Sequence, residues 1–455
     1  MIRRRSILTG LGAALAGLSL VAFPAHPKPA VPDRPAYLKP WTDPETGFRV
    51  TRITGDSGEP VEFAGGRGTW GKDTRQHYSK DQPWSADGTL LAIENRAGGT
   101  PAALLLDGNS YRPLYGRPTY KLDEFRWHPS RAYVHVQIGL RADSLVWFDP
   151  VAGLRVRGWK LPFRPVGIGL GEGNTSLDGR FLALANHDSI VIVDMDPQPP
   201  LASYAEGNRR IGPIYAVAPC SLDVAAPDKF TMGNASVSPS GRYLDLKFGG
   251  VSGDSTADAH RIFDVDSATL ALRPHVMAGN SPRCGSFQAR PDGWIYPLKH
   301  ADMALDPFDH DEDVIIGGRT CPGSNLGHVV MVRLRDGAVT ALTDPKNEAS
   351  VGHVSTRNLD RPGWAYVSYI QGAGKQFGGE IVAVKLDGSG TVEHFGHHRS
   401  VWQGCYRCEA QPVPSRDGRR VLFASNWAEA LEKRPEQISA FIVDARPDTT
   451  RHKGP

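Results

Sequence analysis

Two groups of residues in this chain have the types and spacing to do chemistry. The first is His77-Tyr78, an imidazole beside a phenol, set in a stretch rich in glycine and charge from Gly65 to Lys80. Both can transfer protons. Arg126 offers a planar fork for a carboxylate, and Gln82, His128, His187 and Lys247 add further polar groups, so the inventory suits acid–base work on an anion. The second group is built on the five cysteines, Cys220, Cys284, Cys321, Cys405 and Cys408. In an oxidising compartment Cys405-x-x-Cys408 reads as a disulfide or redox pair. Joined by Cys284 and His353 it reads instead as a closed Cys3His set, which suits one structural zinc per chain. Unrelated thiols are the third reading; Cys321 can replace one ligand, and Cys220 reads as a spare buried thiol. There is no Ser-His-Asp order, GxSxG elbow, P-loop or HExxH motif, which leaves hydrolase and nucleotide readings without support and calls for no organic cofactor.

The elements that must position these residues repeat along the chain. An apolar stretch, a polar turn of the Ser-x-Asp-Gly kind and an alternating strand recur at Gln82–Asn95, Phe125–Ile138, Gly173–Asn186, Ala235–Phe248, Phe287–His300, His353–Ile370 and Gln411–Ser425. The turns fall near residues 87, 130, 178, 240, 292, 361 and 417. Repeats of this length with several short strands each are the mark of propeller blades. The expected fold is therefore all-β: one seven-bladed β-propeller over residues 45–446, with 447–455 as a tail. The last copy supplies Arg419–Ser425 and Ile438–Ala445, one strand short of a blade. Phe48–Gly55 alternates suitably to fill that gap, so an N-terminal strand is expected to pair into the C-terminal blade and close the ring. Helical patterning is scarce, with Trp427–Arg434 the best candidate.

This register places the second group of residues. Cys284 precedes Asp292, His353 precedes Asp360 and Cys408 precedes Asp417 by similar distances, so all three enter the innermost strands of consecutive blades at one level beside the channel. Polar residues in the same register are Glu172, Asn174, Asn234, Gln288, Glu409 and Gln411, while His187 and Lys247 end second strands. Soluble propellers commonly fill their channel with polar groups and water, so each of these taken singly reads equally as a satisfied channel residue, and Trp127 reads as core. Charge is nearly balanced, 52 basic against 49 acidic residues, which argues against a general nucleic-acid binder.

Residues 1–25 read as a targeting segment. Arg3-Arg4-Arg5-Ser6-Ile7-Leu8 resembles a twin-arginine export signal, and the apolar run Ile7–Phe23 is short for a stable membrane span. Six prolines between Pro24 and Pro40 mark an extended linker, taken as 26–44. The mature chain is expected to be a periplasmic or extracellular monomer.

On His77-Tyr78-Ser79-Lys80-Asp81-Gln82-Pro83-Trp84-Ser85-Ala86-Asp87-Gly88, the Cys/His set, and Gln411-Pro412 through Phe423-Ala424-Ser425-Asn426-Trp427, the chain resembles the propeller-type polysaccharide lyases, the ulvan lyases and more distantly the oligogalacturonate lyases. The likeness implies β-elimination beside a uronic acid: a base removes the C5 proton, cationic groups stabilise the enolate, and an acid protonates the departing oxygen. By motif position it implies His77 as the first histidine and His187 as a second, together with a separate structural zinc. Tyr78 as the partner of His77, and Arg126, His128, Gln82 and Lys247 as substrate-binding groups, are read from the residues themselves, and the family's catalytic Tyr and its Arg find no match. The ulvan lyase pattern also has a catalytic Tyr and Arg in blade four, where this chain has Lys247 and Arg261. The oligogalacturonate lyases hold a catalytic manganese with several histidines and a glutamine, and His353 here lacks a neighbouring histidine in sequence. The leading expectation is an exported lyase acting on a uronate-containing polysaccharide or oligosaccharide. The alternative is a non-catalytic propeller binding a glycan or protein. A lyase must bring a base, an acid and a cationic neutraliser within a few ångströms of one another; a binding module need not.

Overall fold

A Ser-x-Asp-Gly turn is a small hydrogen-bonded device, and its chemistry explains why it recurs. In the third blade the Ser176 hydroxyl donates to Asp178 Oδ1 at 2.5 Å and accepts from the Phe181 amide at 2.9 Å. Ser85 with Asp87 and Leu90, and Ser415 with Asp417 and Arg420, repeat the arrangement. Gly88, Gly179, Gly241 and Gly418 hold φ between 68° and 78° at the same point of four turns, a conformation that glycine adopts without a Cβ penalty. In the fourth blade Ser240 stands where the turn aspartate would be. Asp313 of the next blade takes over, accepting from Ser238 Oγ at 2.7 Å and from the Ser240 amide at 3.0 Å.

The computed structural model describes residues 33–116, 124–196, 210–217, 230–250, 259–275, 295–296, 298–319, 327–344, 347–401, 405–427 and 437–446. Seven antiparallel sheets follow one another along the chain, with inner strands at Asp73–Arg75, Glu124–Trp127, Gly167–Ile168, Phe230–Val237, Leu298–Leu305, Val351–Ser355 and Val413–Pro414. They are the blades of a seven-bladed propeller. Closure occurs as expected: Arg49–Arg52 pairs with Ser439–Asp444, Val50 facing Val443, and completes the seventh blade. Among the described residues there is no α-helix; the helical candidate after Trp427 lies outside them.

Two expectations shift. The segment expected as linker to residue 44 already belongs to the fold from Arg34: Trp41–Thr42 pairs with Arg49–Val50, and Trp41 packs edge-on against Trp427 at 6.3 Å. Prolines and a two-residue strand hid that edge. The fifth inner strand is Leu298–Leu305, one strand later than the copy ending at His300 implies, and Ile295–Tyr296 pairs instead with the third strand of blade four.

Second and third strands are apolar on both faces because each blade is sandwiched between two others. Leu182, Leu184, Val191 and Val193 pack on Ile138, Leu145 and Trp147 of the preceding blade. Ala183, Ala185, Ile190 and Ile192 face Leu244, Leu246 and Phe263 of the next.

Replacing Ser176 by Ala leaves the buried Phe181 amide without its acceptor. The expected cost is about 1–3 kcal/mol of unfolding free energy, read as a lower urea midpoint with an unchanged slope.

Candidate functional site

Three consecutive inner strands carry a β-bulge at the same level. In blade four the register slips between Met232 and Asn234, in blade five between Lys299 and Asp302, and in blade six between Val351 and Val354. A bulge adds one residue, bends the strand and re-aims side chains. The bulged residues include His300 and His353, and Asn234 directly follows the blade-four bulge. His300 sits at φ 49°, in the left-handed region disfavoured for a residue with a Cβ, and Gln411 in blade seven at φ 42°. Gly317 lies opposite the blade-five bulge, where a Cβ would come 2.9 Å from that of Ala301.

The redirected residues meet. The His300 and His353 rings lie 4.1 Å apart between centroids. Tyr78 Oη is 3.5 Å from His300 Nδ1, and its ring stands edge-on to His353 at 5.3 Å. Glu409 Oε2 approaches His353 Nε2 to 3.3 Å, yet neither His353 ring nitrogen makes a hydrogen bond to the described residues. Around them, Asn234 donates to Glu172 at 2.8 Å. Arg75 donates to Gln411 Oε1 and to the Arg407 and Glu409 carbonyls, and Gln76 donates to the Gln411 carbonyl at 2.6 Å. These bonds tie blade one to blade seven at the channel.

The electrostatics are those of a buried cationic pocket. Burial, the opposition of a neighbouring His353 to a second positive charge, and the lysines Lys247, Lys299 and Lys80 hold the His300 imidazole well below the ordinary histidine range. Burial, Arg75 and the same lysines do so for His353. Both rings are therefore neutral bases at neutral pH. Burial pushes the Glu409 carboxyl up to about 7, against the opposing pull of Arg75 and Lys299.

Tyr78 and Lys247 belong to this cluster, and His353 lies at its centre. His77, beside Tyr78 in sequence, does not. Its Nδ1 pairs with Asp81 Oδ2, and it lines a separate cavity with Glu124 and Arg164. Arg126 is buried with its guanidinium committed to Asp81 Oδ1 at 2.6 Å, Glu124 Oε1 at 2.6 Å and the Gly171 and Gly173 carbonyls, so it locks the interface of blades one to three. His128 packs tilted against Tyr133 and edge-on to Trp147, and burial pushes it down to about 4. Gln82 donates to the Arg357 and Pro414 carbonyls and works as a tie between blades. His187 is exposed in the turn after Phe181–Ala185. The cluster also contains His300, Lys299, Lys80 and Arg75, which repeat-reading missed. His300 closed the fifth copy; taking Asp292 as the blade turn put it at a strand's far end instead of an inner strand's start.

The zinc set is corrected. Cys405 and Cys408 are joined in a disulfide and pack with Ala424 and Ile438, so they are not a pair of thiolate ligands. Cys284, Cys220 and Cys321, with Gln288, lie outside the described residues. Among the described residues no three His, Cys, Asp or Glu side chains converge as a metal site.

The fold has known counterparts. The oligogalacturonate lyase of Vibrio parahaemolyticus is similar at TM-score 0.51 and 11% identity, covering 89% of this chain and 96% of that one. An oligogalacturonate lyase in complex with manganese matches at TM-score 0.49 and 10% identity over 89% and 95%. The β-propeller domain of Myceliophthora thermophila Cps50 (Swd1) matches at TM-score 0.45 and 11% identity over 82% and 98%. At these identities the likeness is one of fold. No protein-family model matches the sequence, and no curated protein matches it significantly.

Because Glu409 holds its proton up to about pH 7 in the folded chain against an ordinary value of 4.5, the unfolded chain binds fewer protons between those values, and this residue's contribution to stability falls as pH rises through that window. Glu409→Gln is expected to flatten that part of the curve, measured as denaturant midpoints at acidic and neutral pH.

Proposed function

We propose that this protein is a lyase that cleaves uronate-containing oligosaccharides or polysaccharides by β-elimination at the Tyr78–His300–His353 cluster. The observation that carries the reading is the convergence of two imidazoles and a phenol, with lysines acting on both rings, at the channel. A purely binding propeller needs polar or aromatic contacts but no buried base beside an acid.

The steps follow from the geometry. With the His300 proton on Nδ1, that N–H donates to Tyr78 Oη and Nε2 is the free base. Nε2 takes the C5 proton, the C5–H electrons form the C4–C5 double bond, and the C4–O bond breaks. Tyr78 gives its hydroxyl proton to the departing oxygen, and the His300 Nδ1 proton crosses the 3.5 Å contact to the phenolate, which leaves both groups neutral with the imidazole proton on Nε2; exchange with solvent after product leaves restores the Nδ1 tautomer. Lys80, Lys247 and Lys299 offset the charge that builds on the uronate carboxylate in the enolate. Asn234 and Glu172 form a polar wall for ring hydroxyls.

One fold neighbour is named as a manganese complex. Here the nearest donors are His300, His353 and Glu409, and three lysine charges act on both rings. That surrounding favours proton transfer and anion binding over cation binding, and no step is routed through a metal.

The export reading remains part of the proposal. A Cys405–Cys408 disulfide is at home in an oxidising compartment, which supports secretion through the Arg3-Arg4-Arg5 segment.

The test is the ultraviolet absorbance of unsaturated uronate product across a panel of uronate-containing glycans. Tyr78→Phe and His300→Ala are each expected to lower kcat by about 10²–10⁴-fold with the circular dichroism spectrum retained. Full turnover in both variants would move the chemistry elsewhere, and binding without product would mark a glycan-binding module.

A further inference from the structure

His77 and Tyr78 are consecutive, their Cα atoms about 3.8 Å apart, yet they serve different spaces. Tyr78 reaches His300 and His353, while His77 lines a cavity of about 290 Å³ with Glu124, Leu140, Arg164 and Val166. The lining comes from blade one, the start and the second-to-third turn of blade two, and the approach to blade three, so the cavity lies beside the channel.

The cavity is chemically specific. Asp81, itself buried, accepts from His77 Nδ1 and is held in place by Arg126. That fixes the imidazole proton on Nδ1 and turns Nε2 outward as an acceptor, with the ring about one-third exposed. Both oxygens of Glu124 are taken, one by Arg126 and one by the Ile168 amide at 2.9 Å, so it is wall and not acid. Arg164 is exposed and makes no ion pair among the described residues. Val166, 56% exposed, and Leu140 give an apolar floor for a sugar face.

We infer that this cavity is a second binding site, taking the uronate unit adjacent to the one being cleaved. Arg164 holds its carboxylate and His77 Nε2 accepts from a ring hydroxyl. The inference rests on the proposed function, and it narrows the substrate class: an oligomer bearing at least two carboxylates, bound across Tyr78 on one side and His77 on the other. His77 is a binding residue, and the proton transfers belong to its neighbour.

The test pairs kinetics with binding. For Arg164→Ala and His77→Gln, kcat/KM on oligouronides of three or more units is expected to fall about tenfold through KM, with kcat unchanged. Isothermal titration with a saturated oligouronide is expected to show the same loss of affinity, and no loss for a neutral oligosaccharide of equal length. Loss of kcat in His77→Gln would return His77 to the reacting site, and unchanged KM and affinity in Arg164→Ala would remove the second site. Titration does not depend on turnover. A wild-type protein that binds the oligouronide through Arg164 without eliminating it would sink the lyase reading while leaving this site standing.

Discussion

The strand Arg49–Arg52 zipped onto Ser439–Asp444 is the contact on which the architecture depends. Without it the seventh blade ends in an open edge and the ring has no reason to stay closed. With it, seven inner strands are held facing a common axis, and side chains more than three hundred residues apart in sequence become neighbours. Arg75 and Gln411 meet only because of that closure, as do Gln76 and the carbonyls of Ala410 and Gln411. The seam between blades seven and one is further bound by Arg407, which reaches Asp73 and Glu94 at 2.7 Å each.

Within that ring the cluster is an expensive arrangement. Lys80 and Arg75 are almost wholly buried, and two imidazoles are held neutral among positive charges. Burying cations is unfavourable unless anions offset them, and the Asp73 and Glu94 carboxylates act on Arg75. The left-handed backbone at His300 and Gln411 adds strain at the same level. Strained backbone and buried charge gathered in one place are a common mark of functional sites.

The blades were legible because the serine–aspartate turn is a local device whose hydrogen bonds close within six residues. The same locality explains the failure at blade five. Arg290-Pro291-Asp292-Gly293 has the turn's composition, but composition does not say which strand follows. The actual turn, Asp306 to Glu312, bonds through Asp306 and Asp309 with no serine or glycine. The closing strand was readable from alternation and from the missing partner of Ile438–Ala445. The site was readable only in part. Tyr78, Lys247, His353 and Glu409 sat in the right register, whereas His300 and Lys299 are aimed by a bulge that leaves no trace in periodicity. The disulfide was one of the open readings of Cys405-x-x-Cys408, and only geometry selects it.

The loop that this disulfide cinches has a consequence for how the molecule ages. Cys405–Cys408 carries Tyr406 at the channel mouth and Arg407 across the seam, so one short loop both frames the entrance and rivets the ring's join. The join of the propeller and the mouth of its channel are therefore the same place. Anything that loosens the join as the molecule ages moves Tyr406 together with Arg407, and the channel mouth changes with the closure of the ring.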